Sequence, residues 1–92
     1  MSAQPICETE TKTNFITPYK ILLHNDDHNT FDHVIATLIE LFGYTTEDSE
    51  KMAIEVHTKG LCNVKGGLSQ EHAEFYCDKL VAKSLTASIE PE

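Results

Sequence analysis

The sequence predicts an α+β fold, a two-layer sandwich in which three helices cover one face of a three-stranded antiparallel sheet. Three segments have the apolar pattern of strands, and three others carry apolar residues at helical spacing, in the order βααβαβ. The chain has 92 residues, 40% of them hydrophobic, which suffices for one modest core. We therefore expect one domain over residues 18–92, preceded by a flexible, polar extension over residues 1–17.

The first strand is predicted over residues 19–24, where apolar side chains recur at alternate positions. The polar run 25–28 ends it. Asn29 is a suitable N-cap for the first helix, whose apolar residues recur at helical spacing up to Phe42, and Gly43 favours the left-handed conformation that ends helices.

The second helix is predicted after a cap at Thr45 and ends near Gly60. Three of its side chains, Ala53, Val56 and His57, fall on one face. This face is expected to meet the first helix.

The last three elements are shorter. Residues 61–64 are predicted to form a brief strand, and residues 65–67 contain the strongest turn signal in the chain, Lys-Gly-Gly. Ser69 caps a third helix. Residues 85–89 alternate apolar and polar side chains, which predicts a last strand with one buried face.

The charge balance limits the possible partners. Seven Lys and Arg against fifteen Asp and Glu give a net charge of -8, which disfavours nucleic acid and anionic membranes and favours a cationic partner. Three cysteines, Cys7, Cys62 and Cys77, cannot all pair with one another, and none lies in a Cys-x-x-Cys motif. We therefore expect a reducing, cytoplasmic environment, with Cys62 and Cys77 acting as small core residues.

The chemically most suggestive residues are Asn25, Asp26 and Asp27 at the end of the first strand, together with His57 near the end of the second helix. Taken alone, the triplet is typical of an ordinary turn. His57 taken alone is typical of a neutral, hydrogen-bonded histidine near a helix terminus. The first helix starts directly after the triplet and is expected to meet the face that carries His57. The two segments can thus converge into a binding site for a cationic amino group.

Other chemistries match the sequence less well. A calcium loop starting at Asn25 would need Gly where Thr30 stands and Glu where Ala36 stands. The histidines and cysteines have no zinc-site spacing. Asp26 and His57 could act as an acid–base pair, but no nucleophile motif or phosphate-binding glycine loop accompanies them. We expect no catalytic residue, no metal and no cofactor.

The segment Tyr19-Lys20-Ile21-Leu22-Leu23-His24-Asn25-Asp26-Asp27, followed by Asn29-Thr30-Phe31 and later by Val56-His57-Thr58-Lys59-Gly60, resembles the ClpS family of N-end-rule adaptors. The resemblance runs from about Pro18 to Glu90. It implies an adaptor that binds substrates with a bulky hydrophobic N-terminal residue (Leu, Phe, Tyr or Trp) and delivers them to a Clp AAA+ ATPase for degradation by ClpP.

The resemblance also implies roles for individual residues. Asn25, Asp26 and His57 would hold the substrate α-amino group, with Asp27 and Thr30 as secondary candidates. A hydrophobic pocket for the first side chain would be lined by Phe31, Val34, Ala53, Val56 and Leu85. Val34 and Val56 are equally compatible with simple core packing, whereas Phe31, near the start of its helix, is expected at the pocket edge. Many members have Met at this position, so the stiffer Phe31 implies narrower specificity.

The implied ATPase, of the ClpA or ClpC type, would dock through its N-terminal domain on the third helix, where Glu71 matches an acidic position and Tyr76 replaces a commonly basic one. Residues 1–17 would be engaged by the ATPase during delivery. The protein is expected to be monomeric. The alternative is a protein-docking module resembling the C-terminal domain of the ribosomal stalk protein, which uses helix surfaces and lacks an amine pocket.

Overall fold

The structure, a computed structural model, describes residues 17–92. The predicted extension therefore lies outside the described residues except for Thr17, and so does Cys7. The element order βααβαβ is confirmed, with β1 at Tyr19–His24, α1 at Phe31–Phe42, α2 at Thr46–Lys59, β2 at Leu61–Leu68, α3 at Gln70–Ala82 and β3 at Thr86–Pro91. None of the helices in this described range is long and apolar enough to cross a membrane.

The sheet has the strand order β2-β1-β3, and both pairings are antiparallel. The central strand β1 supplies Ile21 and Leu23, whose side chains are fully buried under the helices. All three helices contribute to the same core: Leu38 from α1, Val56 from α2 and Leu80 from α3 pack in one cluster with the sheet. The predicted α+β fold class is confirmed.

The strand β2 is longer than predicted. We expected a turn over residues 65–67, but β2 continues through both glycines to Leu68 and stays paired with β1. The register shifts twice, between Tyr19 and Ile21 and between Ile21 and Leu22, as at a β-bulge. Gly67 has a φ of 67°, so the glycine signal marks an irregular strand instead of a turn.

The first helix begins one residue later than predicted. Thr30, not Asn29, is its N-cap: the Thr30 hydroxyl accepts a hydrogen bond from the His33 amide at 3.1 Å. Phe31 is therefore the first helical residue instead of the second. Asn29 is thereby free for a different role.

The other predicted helix caps agree with the structure. Thr45 and Ser69 cap α2 and α3 through their hydroxyl groups, while Gly43 and Gly60 end α1 and α2 in the left-handed region. These signals are local in sequence, which explains why they could be read correctly from it.

The two described cysteines are free thiols. Cys62 is buried, and its burial, reinforced by the neighbouring Glu55, raises the pKa of the thiol to about 11. Cys77 is partly buried, which also raises its pKa. Both thiols are therefore neutral at physiological pH.

Candidate functional site

The register of the sheet brings three distant segments together at the end of β1. His24 pairs with Leu61 on one side and with Thr86 on the other. The next residue, Asn25, consequently lies beside the end of α2, and its amide donates a 2.9 Å hydrogen bond to the carbonyl of Gly60. His57 is one helical turn before Gly60, so α2 places it next to the end of β1.

A cavity of about 250 Å³ opens at this junction; we call it the strand-end cavity. It is lined by Leu23, His24, Asn25, Asp26, Asp27, Asn29, Phe31, Val34, Ala53, Val56, His57 and Leu85. All eight residues that were predicted for the amine site and the hydrophobic pocket lie around it, as does Asp27. Thr30 does not line the cavity. The sequence prediction missed Leu23, His24 and Asn29.

Asp26 is the most constrained side chain of the site. Its Oδ1 accepts hydrogen bonds from the amides of His28 (3.2 Å) and Asn29 (2.9 Å), and its Oδ2 accepts from the Asn29 side chain (2.8 Å) and the Thr86 hydroxyl (3.4 Å). Partial burial by itself would raise the pKa of Asp26, but these hydrogen bonds and the nearby His28 lower it below its ordinary value. Asp26 is therefore an anion that also organises its loop.

Asn29 connects this loop to the segment just before β3. Its Nδ2 atom donates both to Asp26 and to the carbonyl of Ser84, each at 2.8 Å. Ser84 has a φ of 71°, unusual for a residue other than glycine, and it directly precedes the cavity residue Leu85. Asn29 thus links the carboxylate to an apolar wall. Because Asn is a favourable helix N-cap, the local sequence indicated a cap and did not predict the hydrogen bond from Asn29 to Ser84.

Three polar side chains at the cavity remain available. Within residues 17–92, no hydrogen bond involves the side chains of Asn25, Asp27 or His57, and all three residues are exposed. They offer an amide oxygen, a carboxylate and an imidazole nitrogen as acceptors. Asp26 makes no hydrogen bond to His57 in this part of the chain, so the structure does not form the acid–base pair that was considered from the sequence.

The apolar side of the cavity belongs partly to the core. Ala53, Val56 and Leu85 are almost fully buried, and Val34 packs against the core cluster. The two valines therefore do both things that the sequence allowed, since each lines the cavity and packs in or against the core.

Phe31 lies at the cavity edge, as expected, with 47% of its surface exposed. Its ring meets the His57 ring edge-on, with centroids 5.5 Å apart and an interplanar angle of 80°. An aromatic side chain so exposed contributes little to the core. It forms an exposed rim beside these acceptors.

The residues predicted for the ATPase interface lie away from the cavity on α3. Glu71 is exposed in the first turn, whereas Tyr76 is partly buried and its ring packs 5.1 Å from that of Phe42. Their role stays a prediction. Among the residues that the structure describes, no group of three or more His, Cys, Asp or Glu side chains could hold a metal ion.

Comparison with known proteins agrees with this architecture. Residues 16–89 match the family model described as ATP-dependent Clp protease adaptor protein ClpS. The chain is 35% identical to the Clp protease adapter protein ClpS of Synechococcus elongatus, covering 92% of this chain and 90% of that protein. It is 34% identical to a chloroplastic adapter of Chlamydomonas reinhardtii, covering 96% of this chain and 54% of the other.

A solved structure shows the same fold. Agrobacterium tumefaciens ClpS2, determined with bound L-phenylalaninamide, superposes with a TM-score of 0.78 at 23% identity, covering 85% of this chain and all of the other. The family model spans most of the chain, and the sequence relatives agree with it. The chain therefore belongs to the ClpS family of Clp protease adaptors.

Proposed function

We propose that this protein binds the first residue of substrate proteins that begin with a bulky hydrophobic amino acid, and delivers them to a Clp AAA+ ATPase. The observation that carries the proposal is the strand-end cavity, where available polar acceptors and an apolar pocket share one opening. A free N-terminal residue with an apolar side chain is complementary to this arrangement, because its charged amino group suits the acceptors and its side chain suits the pocket.

The α-ammonium group would be held by Asn25, His57 and the loop after β1 that carries Asp26 and Asp27, which we call the acidic loop. It offers three donors and is mostly charged at neutral pH. Asn25 accepts through its amide oxygen, and His57 accepts through a ring nitrogen when neutral. Asp26 contributes its negative charge, although its oxygens already accept four hydrogen bonds. The neighbouring Asp27 carboxylate lines the same cavity and supplies additional acceptors.

The first side chain would enter the apolar part of the cavity between Val34, Val56 and Leu85. Burying a Leu or Phe side chain there contributes about 1.5 to 3 kcal/mol. Phe31 is an exposed rim residue that can close over the bound side chain, and its stiffness limits the range of shapes that the pocket accepts. L-phenylalaninamide, the molecule bound to the Agrobacterium ClpS2, is an amino acid derivative of this chemical class.

Delivery requires a second surface. The family's description as adaptors of Clp protease supports a Clp partner, and we assign its docking to the α3 surface with Glu71 and Tyr76. The partner would be an ATPase of the ClpA or ClpC type. The adaptor would act as a monomer without catalysing a reaction itself. Because curated relatives include chloroplastic proteins, the cytoplasmic location stays a prediction from the sequence.

Peptide titration tests the proposal. A Leu-initiated peptide should bind the protein, whereas its N-acetylated copy, which lacks the charge and two of the donors, should bind at least tenfold more weakly. One hydrogen bond to a charged group contributes about 1.5 to 3 kcal/mol, or roughly tenfold to a hundredfold in affinity. Equal affinity of the two peptides would refute the amine site.

Variants locate the binding to the cavity. Asn25→Ala and His57→Ala should each weaken the Leu-initiated peptide by about tenfold or more. His72→Ala is the matched control, because His72 is exposed on α3 and does not line the cavity. A similar loss in all three variants would contradict the assignment. Asp26→Asn is preferable to Asp26→Ala, since the carboxylate also supports the loop.

A further inference from the structure

A second concave surface lies beside the strand-end cavity, between α1 and α2; we call it the α1–α2 groove. It has a volume of about 370 Å³ and is lined by Phe31, Asp32, Ile35, Glu50, Ala53 and Ile54. Two of these residues, Phe31 and Ala53, also line the strand-end cavity. The two depressions are therefore adjacent and share a wall.

The groove combines an apolar floor with an acidic margin. Phe31 and Ile54 are 47% and 52% exposed, and Ile35 between them is partly buried. Asp32 and Glu50 flank this floor, one from each helix. Among residues 17–92 neither carboxylate forms a salt bridge, and no Lys or Arg lines the groove. Exposed apolar side chains next to carboxylates that have no ion-pair partner in this part of the chain suit a ligand that is both apolar and cationic.

We propose that the α1–α2 groove is a second substrate subsite, which takes a long basic side chain, Arg or Lys, from the second or third residue of a bound substrate. Such a side chain lays its methylene stem on apolar surface and keeps its charged end near a carboxylate. This inference rests on the proposed function, because it assumes that the first residue occupies the strand-end cavity.

The reach of the chain supports these two positions. An extended peptide advances about 3.3 Å per residue, so the residues that directly follow the first one stay close enough to the cavity to reach the groove across the shared Phe31 and Ala53. A residue several positions further on has left this region. Because the whole protein is acidic, with a net charge of -8, basic peptides are also attracted generally, and the experiment must separate this effect from the groove.

The test uses Leu-initiated peptides of identical composition, with one Arg at position 2, 3 or 8. An Arg at position 2 or 3 should bind about two- to fivefold more tightly than an Arg at position 8, which is the range for an exposed ion pair. Since all three peptides have the same net charge, their long-range attraction to the protein is similar, and variants of the groove then show whether the remaining difference arises there.

Two variants tie the difference to the groove. Glu50→Gln and Ile54→Ser should each reduce the preference for the near Arg, the first by removing charge and the second by removing apolar floor. Glu74→Gln is the matched control, because it removes one charge from α3, away from the groove, and it should leave the preference intact.

The outcomes separate the two proposals. Equal affinity for the three peptides, or a preference that persists in both Glu50→Gln and Ile54→Ser, would overturn the subsite while leaving first-residue binding in place. Failure of all three peptides to bind the folded wild-type protein, or equal binding of their acetylated copies, would refute the proposed function and the subsite together.

Discussion

Asn29 is the residue whose replacement should reveal how the site is built. In Asn29→Ala, the two hydrogen bonds donated by Nδ2 are lost, one to the Asp26 carboxylate and one to the carbonyl of Ser84. A hydrogen bond to a charged group contributes about 1.5 to 3 kcal/mol and a neutral one about 0.5 to 1.5 kcal/mol. Because the Ser84 bond is exposed, we take the lower ends and expect a loss of about 2 kcal/mol.

Urea denaturation followed by circular dichroism measures this loss directly. For a domain of this size, 2 kcal/mol also corresponds to a fall in Tm of about 8 to 16 °C. Asn63→Ala is the matched control, since Asn63 is exposed on β2 and its side chain makes no hydrogen bond within residues 17–92. This control should change stability by less than about 0.5 kcal/mol.

A double-mutant cycle measures the coupling between Asp26 and Asn29. Asp26→Asn combined with Asn29→Ala should destabilise the fold by less than the sum of the single changes, because the two residues share a hydrogen bond. The proposed link from Asp26 through Asn29 to Ser84 would be wrong if Asn29→Ala were no more destabilising than Asn63→Ala. It would also be wrong if the losses caused by Asp26→Asn and Asn29→Ala simply added in the double variant.

Three further predictions concern the same framework. The pKa of Asp26 is lowered on folding, so the ionised carboxylate stabilises the fold above the unfolded pKa near 3.8, and this stabilisation is lost as the pH falls through the lower folded pKa. The free energy of unfolding should therefore fall less steeply with decreasing pH in Asp26→Asn than in the wild type. Leu38→Ala, at a fully buried position, should cost about 2 to 5 kcal/mol by denaturation, against about 1 kcal/mol or less for the exposed Ile39→Ala. Gly60→Ala should lower the free energy of unfolding in urea by about 1 to 2 kcal/mol, because Gly60 has a φ of 90°. Lys59→Ala should have little effect.

Much of the fold could be predicted because its signals are local. Helix caps such as Thr45 and Ser69, the helix-ending glycines Gly43 and Gly60, and the alternation of apolar residues in β1 all act within a few positions of the chain. These patterns determine the element order and the buried faces. The motif at Asn25 and the later His57 likewise carry the family resemblance in the sequence alone.

The errors arose where a local signal had two possible outcomes. The glycines after Lys65 suited a turn, yet pairing with β1 kept β2 extended and converted the signal into register shifts. Asn29 suited a helix cap, yet Thr30 took that position, and Asn29 instead satisfied a carbonyl 55 residues away. For β2 the deciding partner, β1, is distant in the chain, whereas Asn29 combines the nearby Asp26 with the distant Ser84.

The sequence by itself determined the order of the elements, the acidic charge and the types of side chain that we propose bind an amino group. Only the tertiary structure decided that Asn25 lies between the end of α2 and the start of β3, because sheet register joins residues that are far apart in the chain. The same packing formed the strand-end cavity from α1, α2 and the sheet, and it distinguished the hydrogen-bonded Asp26 from its available neighbour Asp27.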